Sequence, residues 1–293
     1  MDIPFDPVIL WTDAFIYSLI GIVIAISSYV RHHPHLLAPW RRVTHSASGM
    51  SAFTILVFFV SIGILDTIHF RPAIESPSNE ANTKTFSVEV LSLLDVIAAP
   101  LRSNVEKTYS APLSAYLYAK ETIELPNGGE VREFARLTYG GAHLVDPELN
   151  RIQDIVTRAI VGAGWGLLFW SIIILSFTAW LAYQNKTRYW QNQQALWCGQ
   201  TEIPWWAIFM TLNVIIVVSG AVIALATHYH VLGTDKVGQD VLYLSLKSIR
   251  TGLVIGTLTT LIMLPFALFL GIAAGYFRGW VDDVIQYTYT TLS

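Results

Sequence analysis

The residues that could do chemistry in this chain of 293 are its histidines, a few carboxylates within apolar runs, and its glycine clusters. His32, His33 and His35 share one short loop, whereas His69, His228 and His230 each follow an apolar run. A membrane haem needs two imidazoles from facing helices at similar depth, and His69 with His228 is the pair to consider. Neither lies within an apolar run and no second pair exists, so interfacial histidine is the plainer reading. Asp13 and Asp66 sit near the ends of such runs, where a charge costs less than at the membrane centre. Asn213 is the polar group nearest the middle of one, and is expected to bond across helices, with a pathway role as the alternative. Gly162-Ala163-Gly164-Trp165-Gly166 follows no strand, so it is not a dinucleotide loop. Its four-residue spacing suits close helix–helix approach, as do Gly252/Gly256 and Gly271/Gly275, with Pro265 placed to kink the helix between them. No serine–histidine–acid set, paired-carboxylate site or phosphate loop is evident. The single cysteine, Cys198, excludes an internal disulfide framework and a cysteine metal cluster. No catalytic residue, metal site or cofactor is expected.

The elements that must position these residues follow from composition. Hydrophobic residues make up 53% and charged residues 13%, about half the charged share of a soluble domain. Mean hydropathy is +0.49. An all-α polytopic membrane protein is expected, held in a lipid bilayer. A net charge of −3 without any Lys/Arg-rich run excludes a nucleic-acid footprint. Five stretches have the roughly 20 apolar residues a spanning helix needs: Val8–Val30, Ser51–Ile68, Ala159–Tyr183, Pro204–Thr227 and Thr251–Gly275. The first has Asp2 and Asp6 on its amino side and Arg31 after it, unlike a cleavable signal peptide. Arg31, Arg41, Arg42, Lys186, Arg188 and Arg278 fall on one side of these spans; Lys236, Lys247 and Arg250 fall on the other. The positive-inside bias therefore places the amino terminus outside and Cys198 inside.

Residues 71–157 then form a small mixed extracytoplasmic domain between spans 2 and 3, with eight Lys/Arg against twelve Asp/Glu. Apolar positions 88, 91, 94 and 97 predict an amphipathic helix over Phe86–Ala99 ending at Pro100. Pro126-Asn127-Gly128-Gly129 predicts a turn between hairpin strands. Asp146-Pro147 reads as a helix start, with proline at the first position and one continuous helix running into the third span. A structural or docking module is the plain reading of this segment.

After the fourth span comes His230-Val231-Leu232-Gly233-Thr234-Asp235-Lys236-Val237-Gly238-Gln239-Asp240. Physically this is a glycine turn followed by a capped helix, with Thr234 or Asp235 as cap. Val237, Val241 and Leu244 predict a helix lying along the outer membrane surface before Arg250. Gly238 inside that helix would cost about 1 kcal/mol relative to alanine, which implies a close contact there.

This segment resembles the membrane subunits of dipeptide, oligopeptide and nickel ABC importers. Leu232, Gly233, Thr234, Asp235, Gly238, Asp240 and Arg250 match the family's Leu-Gly-Thr-Asp-x-x-Gly-Arg-Asp pattern and following arginine. Gly275, Tyr276, Phe277, Gly279, Trp280 and Asp282 match its Gly-Tyr-Phe-x-Gly-Trp-x-Asp, one span later. Gln239 stands where the family has arginine. The resemblance covers roughly residues 204–293. It implies a permease subunit of a bacterial inner membrane, without catalytic residues, that pairs with a second permease subunit. Two ATPase subunits and an external solute-binding protein would complete the importer of peptides, nickel or a similar small solute. The organisation expected is two amino-terminal spans in 1–70, the extracytoplasmic domain in 71–157, spans 3 and 4 in 158–230, and an incomplete permease domain in 231–293. Residues 281–293 would approach a sixth span, and the family's cytoplasmic ATPase-docking loop has no counterpart here. The alternatives are a membrane-anchored sensor or assembly protein acting through residues 71–157 and, more remotely, a haem or quinone oxidoreductase subunit.

Overall fold

The computed structural model describes residues 5–74, 85–124, 130–185, 203–277 and 279–292. The chain begins with β1 (Phe5–Val8), α1 (Trp11–Arg31), α2 (Pro34–His45) and α3 (Ala47–Thr67). Between α3 and α6 lie β2 (His69–Ile74), β3 (Thr85–Phe86), β4 (Leu91–Ser92), α4 (Leu93–Ile97), α5 (Ala99–Ser103), β5 (Tyr116–Glu124) and β6 (Glu130–Arg136). The rest is helical: α6 (Pro147–Asn185), α7 (Trp205–Ala226), α8 (Val241–Phe277) and α9 (Trp280–Leu292). Five of these helices, α1, α3, α6, α7 and α8, are long and apolar enough to cross a membrane. Each contains one of the expected apolar stretches, give or take a few residues at its ends. α6 and α8 run well past theirs.

Strand pairing fixes which helix ends lie together. β1 pairs antiparallel with β2, Val8 opposite His69 and Phe5 opposite Pro72. The start of α1 and the end of α3 therefore share one side, and β3 and β4 extend the small sheet from β2. The expected helix over Phe86–Ala99 does not form as such. Ser92 and Asp95 build a reciprocal capping box, so helix begins only at Leu93. Pro100 opens α5 instead of ending a helix, because its missing N–H falls in a first turn where none is needed. The predicted hairpin is present as β5 and β6, with Ile123 opposite Val131. Its Pro126–Gly129 turn lies outside the described residues, as do Cys198, Lys186, Arg188 and Arg278. α6 begins at Pro147 and continues without interruption into its apolar part.

Close packing of α6 on α7 depends on glycine. A Cβ on Gly162 would lie 2.5 Å from the Gly220 carbonyl oxygen, and one on Gly166 would lie 2.9 Å from that of Ile216. The two backbones touch where any side chain would hold them apart. Further along, Phe177 packs its ring on Trp205 and Phe209, and Trp170 packs on Phe209. Gly252, Gly256, Gly271 and Gly275 on α8 behave otherwise: a Cβ on any of them meets nothing within 4 Å. The expected helix packing at those four glycines is thus not made among the described residues.

Candidate functional site

The chain between α7 and α8 is a tight loop, and its sequence explains the tightness. Gly233 and Gly238 both have positive φ, +79° and +80°, a region that disfavours side-chain-bearing residues. A Cβ on Gly233 would lie 2.3 Å from the Ser110 carbonyl oxygen, and one on Gly238 only 1.8 Å from that of Glu106. Residues 104–113 of the between-span segment thus press directly onto the loop backbone. Glu106 N–H donates to the Gly238 carbonyl at 2.9 Å, and Leu113 N–H to that of His230 at 2.9 Å. The Thr234 hydroxyl, itself buried, donates to the Thr108 carbonyl at 2.7 Å.

Asp235 closes the turn from within, its carboxylate accepting from Val237 and Gln239 N–H at 2.9 Å each. The helix cap is Asp240, not Thr234 or Asp235. One Asp240 oxygen accepts from Leu242 and Tyr243 N–H at 2.8 and 3.3 Å. Helix therefore starts at Val241 and continues to Phe277 as a single element, in place of a separate surface helix. Gly238 lies in the loop, and the close contact inferred for it is the Glu106 backbone. Leu232 and Gln239 are exposed, and Val231 packs against the buried cluster of Leu144, Leu225 and Tyr229.

Three buried charge clusters flank this loop. In the first, His230 Nδ1 lies 2.7 Å from the second Asp240 oxygen and His230 Nε2 lies 3.4 Å from Glu106. Glu106 also accepts the backbone N–H groups of Thr138, Tyr139 and Gly140 at 2.8, 2.7 and 3.1 Å. Burial alone would raise the Glu106 carboxyl, but His230 and the three amides outweigh it and hold it at about 2. Burial alone would lower His230, and the two carboxylates override it and push the imidazole up to about 9. In the second cluster Asp95 meets the Lys247 ammonium at 2.9 Å and accepts from the Tyr243 hydroxyl at 2.7 Å. Burial opposes ionisation there too, yet the Ser92 amide, Tyr243 and Lys247 bring the Asp95 carboxyl down to about 2.

The third cluster joins three spanning candidates. Arg250 of α8 places its guanidinium 2.7 Å from Asp13 of α1 and 3.7 Å from Asp66 of α3. His69 Nδ1 lies 2.9 Å from Asp13, and the Ser92 hydroxyl donates to Asp66 at 2.8 Å. Asp13 and Asp66 are fully shielded from solvent, at 0% and 2% exposure. Beside this cluster a Cβ on Gly63 would press on the Leu253 side chain at 2.7 Å, where α3 meets α8.

The motif residues therefore fall into two groups. Gly233, Thr234, Asp235, Gly238, Asp240 and Arg250 gather where α8 begins. Gly275, Tyr276, Phe277, Gly279, Trp280 and Asp282 sit at its far end, about 55 Å away for a helix of this length. There Gly279 takes a positive φ of +67° to turn the chain into α9, and Tyr276, Phe277 and Trp280 are largely exposed. Asp282 lies in the first turn of α9 and accepts from Gln286 at 3.1 Å. Asn213 is half-buried on α7 and makes no hydrogen bond across helices among the described residues. His69 and His228 belong to different clusters: His69 faces Asp13 and Arg250, whereas the His228 ring lies 4.9 Å from that of His143. Among the described residues, no three His, Cys, Asp or Glu side chains converge as a metal site.

Ser92, Asp95, Glu106 and Tyr243 are among the site residues that sequence reasoning did not single out. The spacing of Ser92 and Asp95 was a usable capping signal. Nothing local marks Glu106. At the level the fold defines, this is a helical chain with five helices fit to cross a membrane, three of them joined at one end by buried ion pairs. Comparison with known proteins adds no family: no protein-family model, curated protein or solved structure matches the chain.

Proposed function

We propose that the chain is a permease subunit of an ABC importer for peptides, nickel or a similar small solute. The observation that carries this reading is the Gly233–Asp240 loop. Three of its motif residues, Gly233, Thr234 and Gly238, lock the head of α8 to the between-span segment, while Asp235 closes the turn and Asp240 caps the helix. A subunit that moves a substrate by rocking helices needs its path-forming helix anchored rigidly at one end, and α8 has that anchor. Its other flank, along Gly252, Gly256 and Thr260, is open and suits a second permease subunit. Energy would come from two separate ATPase subunits and substrate from an external solute-binding protein, with the anchored end outside the inner membrane. The sensor or assembly reading keeps one supporting observation, the segment between α3 and α6.

Uptake of radiolabelled peptides and nickel, with the gene deleted and then restored, tests the reading. Restoration by the parent and not by Gly238→Trp is the expected result. Unchanged uptake on deletion, with no ATPase co-purifying from native membranes, would favour the sensor. Sidedness is checked separately at Cys198, the sole thiol. A membrane-impermeant maleimide should reach it only after cells are permeabilised.

A further inference from the structure

The end of α1 and α3 opposite the ion-paired cluster has a different chemistry. Between Asp13 and Asp66 the sequence contains no carboxylate, yet it carries Arg31, Arg41 and Arg42. All three are exposed, and among the described residues none is paired with an acid. Arg31 closes α1, and the other two lie on α2, the short helix bridging α1 and α3.

α2 is built with two faces. At 100° per residue Leu36, Trp40 and Val43 form one stripe, while Arg41, Arg42, His35 and His45 fall on the other side. Trp40 at 59% and Val43 at 47% exposure leave much of the apolar stripe uncovered by the described residues. His32 and His33 turn their Nδ1 atoms back to the Ser28 and Tyr29 carbonyls, which leaves the arginines as the loop's outward-facing fixed charge. A helix at the end of two spanning candidates, with an open tryptophan stripe and unpaired guanidiniums, matches a bilayer interface in both depth and charge. Guanidinium is also the side chain best shaped to hold phosphate oxygens in pairs.

We infer that Arg31, Arg41 and Arg42 form, with α2, a binding surface for anionic phospholipid headgroups, with α2 lying in the membrane plane. This holds whether or not the chain is a permease.

The test uses the full chain reconstituted in phosphatidylcholine vesicles containing a trace of spin-labelled phosphatidylglycerol or spin-labelled phosphatidylcholine. The motionally restricted fraction of each label reports its preference for the protein surface. One basic residue near a charged membrane is worth roughly fivefold in partitioning. The parent should hold the anionic label on the order of fivefold more strongly, less so at high salt. Arg31→Gln/Arg41→Gln/Arg42→Gln should bring the ratio to about parity. Arg132→Gln, on the exposed β6 strand, should leave it unchanged. Equal preference in the parent would overturn the inference without recourse to any variant, as would a preference that persists in the triple variant. Inorganic phosphate that abolished the preference where chloride of equal ionic strength did not would identify a free-anion site and reject the lipid.

Discussion

Replacing Gly238 by alanine isolates the contact that holds α8 to the between-span segment. Two costs add. Alanine in the left-handed region is disfavoured by about 1–2 kcal/mol. The new methyl group would also sit 1.8 Å from the Glu106 carbonyl oxygen, a separation that no side-chain rotation relieves because both atoms are fixed by backbone. The two loop segments must part by well over 1 Å, which breaks the 2.9 Å bond from Glu106 N–H to the Gly238 carbonyl and costs about 1–2 kcal/mol more. Together the loss is about 3 kcal/mol, or roughly 10 °C in melting temperature for a chain of this size. Gly256→Ala is the internal control. It lies in mid-helix with nothing within 4 Å of a new Cβ, so alanine there should be neutral or stabilise by up to about 1 kcal/mol. Thermal unfolding of both variants in the same detergent, followed by tryptophan fluorescence, is the assay. Equal melting temperatures for Gly238→Ala and the parent would refute the reasoning, since neither strain nor clash would then be present.

Arg250→Ala should destabilise the protein by about 3–5 kcal/mol, because it strands the carboxylates of Asp13 and Asp66; Arg250→Lys should recover only part of this, as read by denaturation in detergent. The His230 contribution has a defined pH window. Its folded value of about 9 exceeds the ordinary 6.5, so the stabilisation is complete below about 6.5 and disappears as pH rises through about 9. Protection against amide exchange in residues 104–113 and 228–241, taken relative to the intrinsic rate at each pH, should fall across that window, and His230→Gln should flatten that dependence. Glu106 and Asp95 act in the opposite direction: both are held at about 2, so their contribution is present above roughly pH 4.5 and is lost as pH falls towards 2. Gly166→Leu should force α6 from α7, because its side chain would enter backbone 2.9 Å away; cysteines placed across that crossing should no longer cross-link.

The sequence was informative wherever the determining signal is local. The apolar runs located all five long helices, Pro147 marked the start of α6, and the β5–β6 hairpin followed from its turn residues. It misled where two local patterns competed. The apolar spacing over Phe86–Ala99 imitates a helix, but the Ser92–Asp95 capping box sets the true start. Val237, Val241 and Leu244 imitate a surface helix, but two positive-φ glycines keep helix from forming before Asp240. Most of the site was beyond reach for another reason. Arg250 and Asp13 are 237 positions apart, and His230 and Glu106 are 124 apart. No periodicity links residues at such separations. Charge at the end of an apolar run reads as interfacial until its partner is seen.

The arginine clasp also sets an order of events during synthesis. α1 and α3, with their carboxylates, are complete roughly 180 residues before Arg250 is added, an interval of about 10–40 s at ordinary translation rates. Until then Asp13 and Asp66 have no guanidinium to face, and α1 and α3 can insert but cannot settle against α8. α8 closes the assembly as a keystone does, so the first part of the chain to emerge is among the last to reach its final packing.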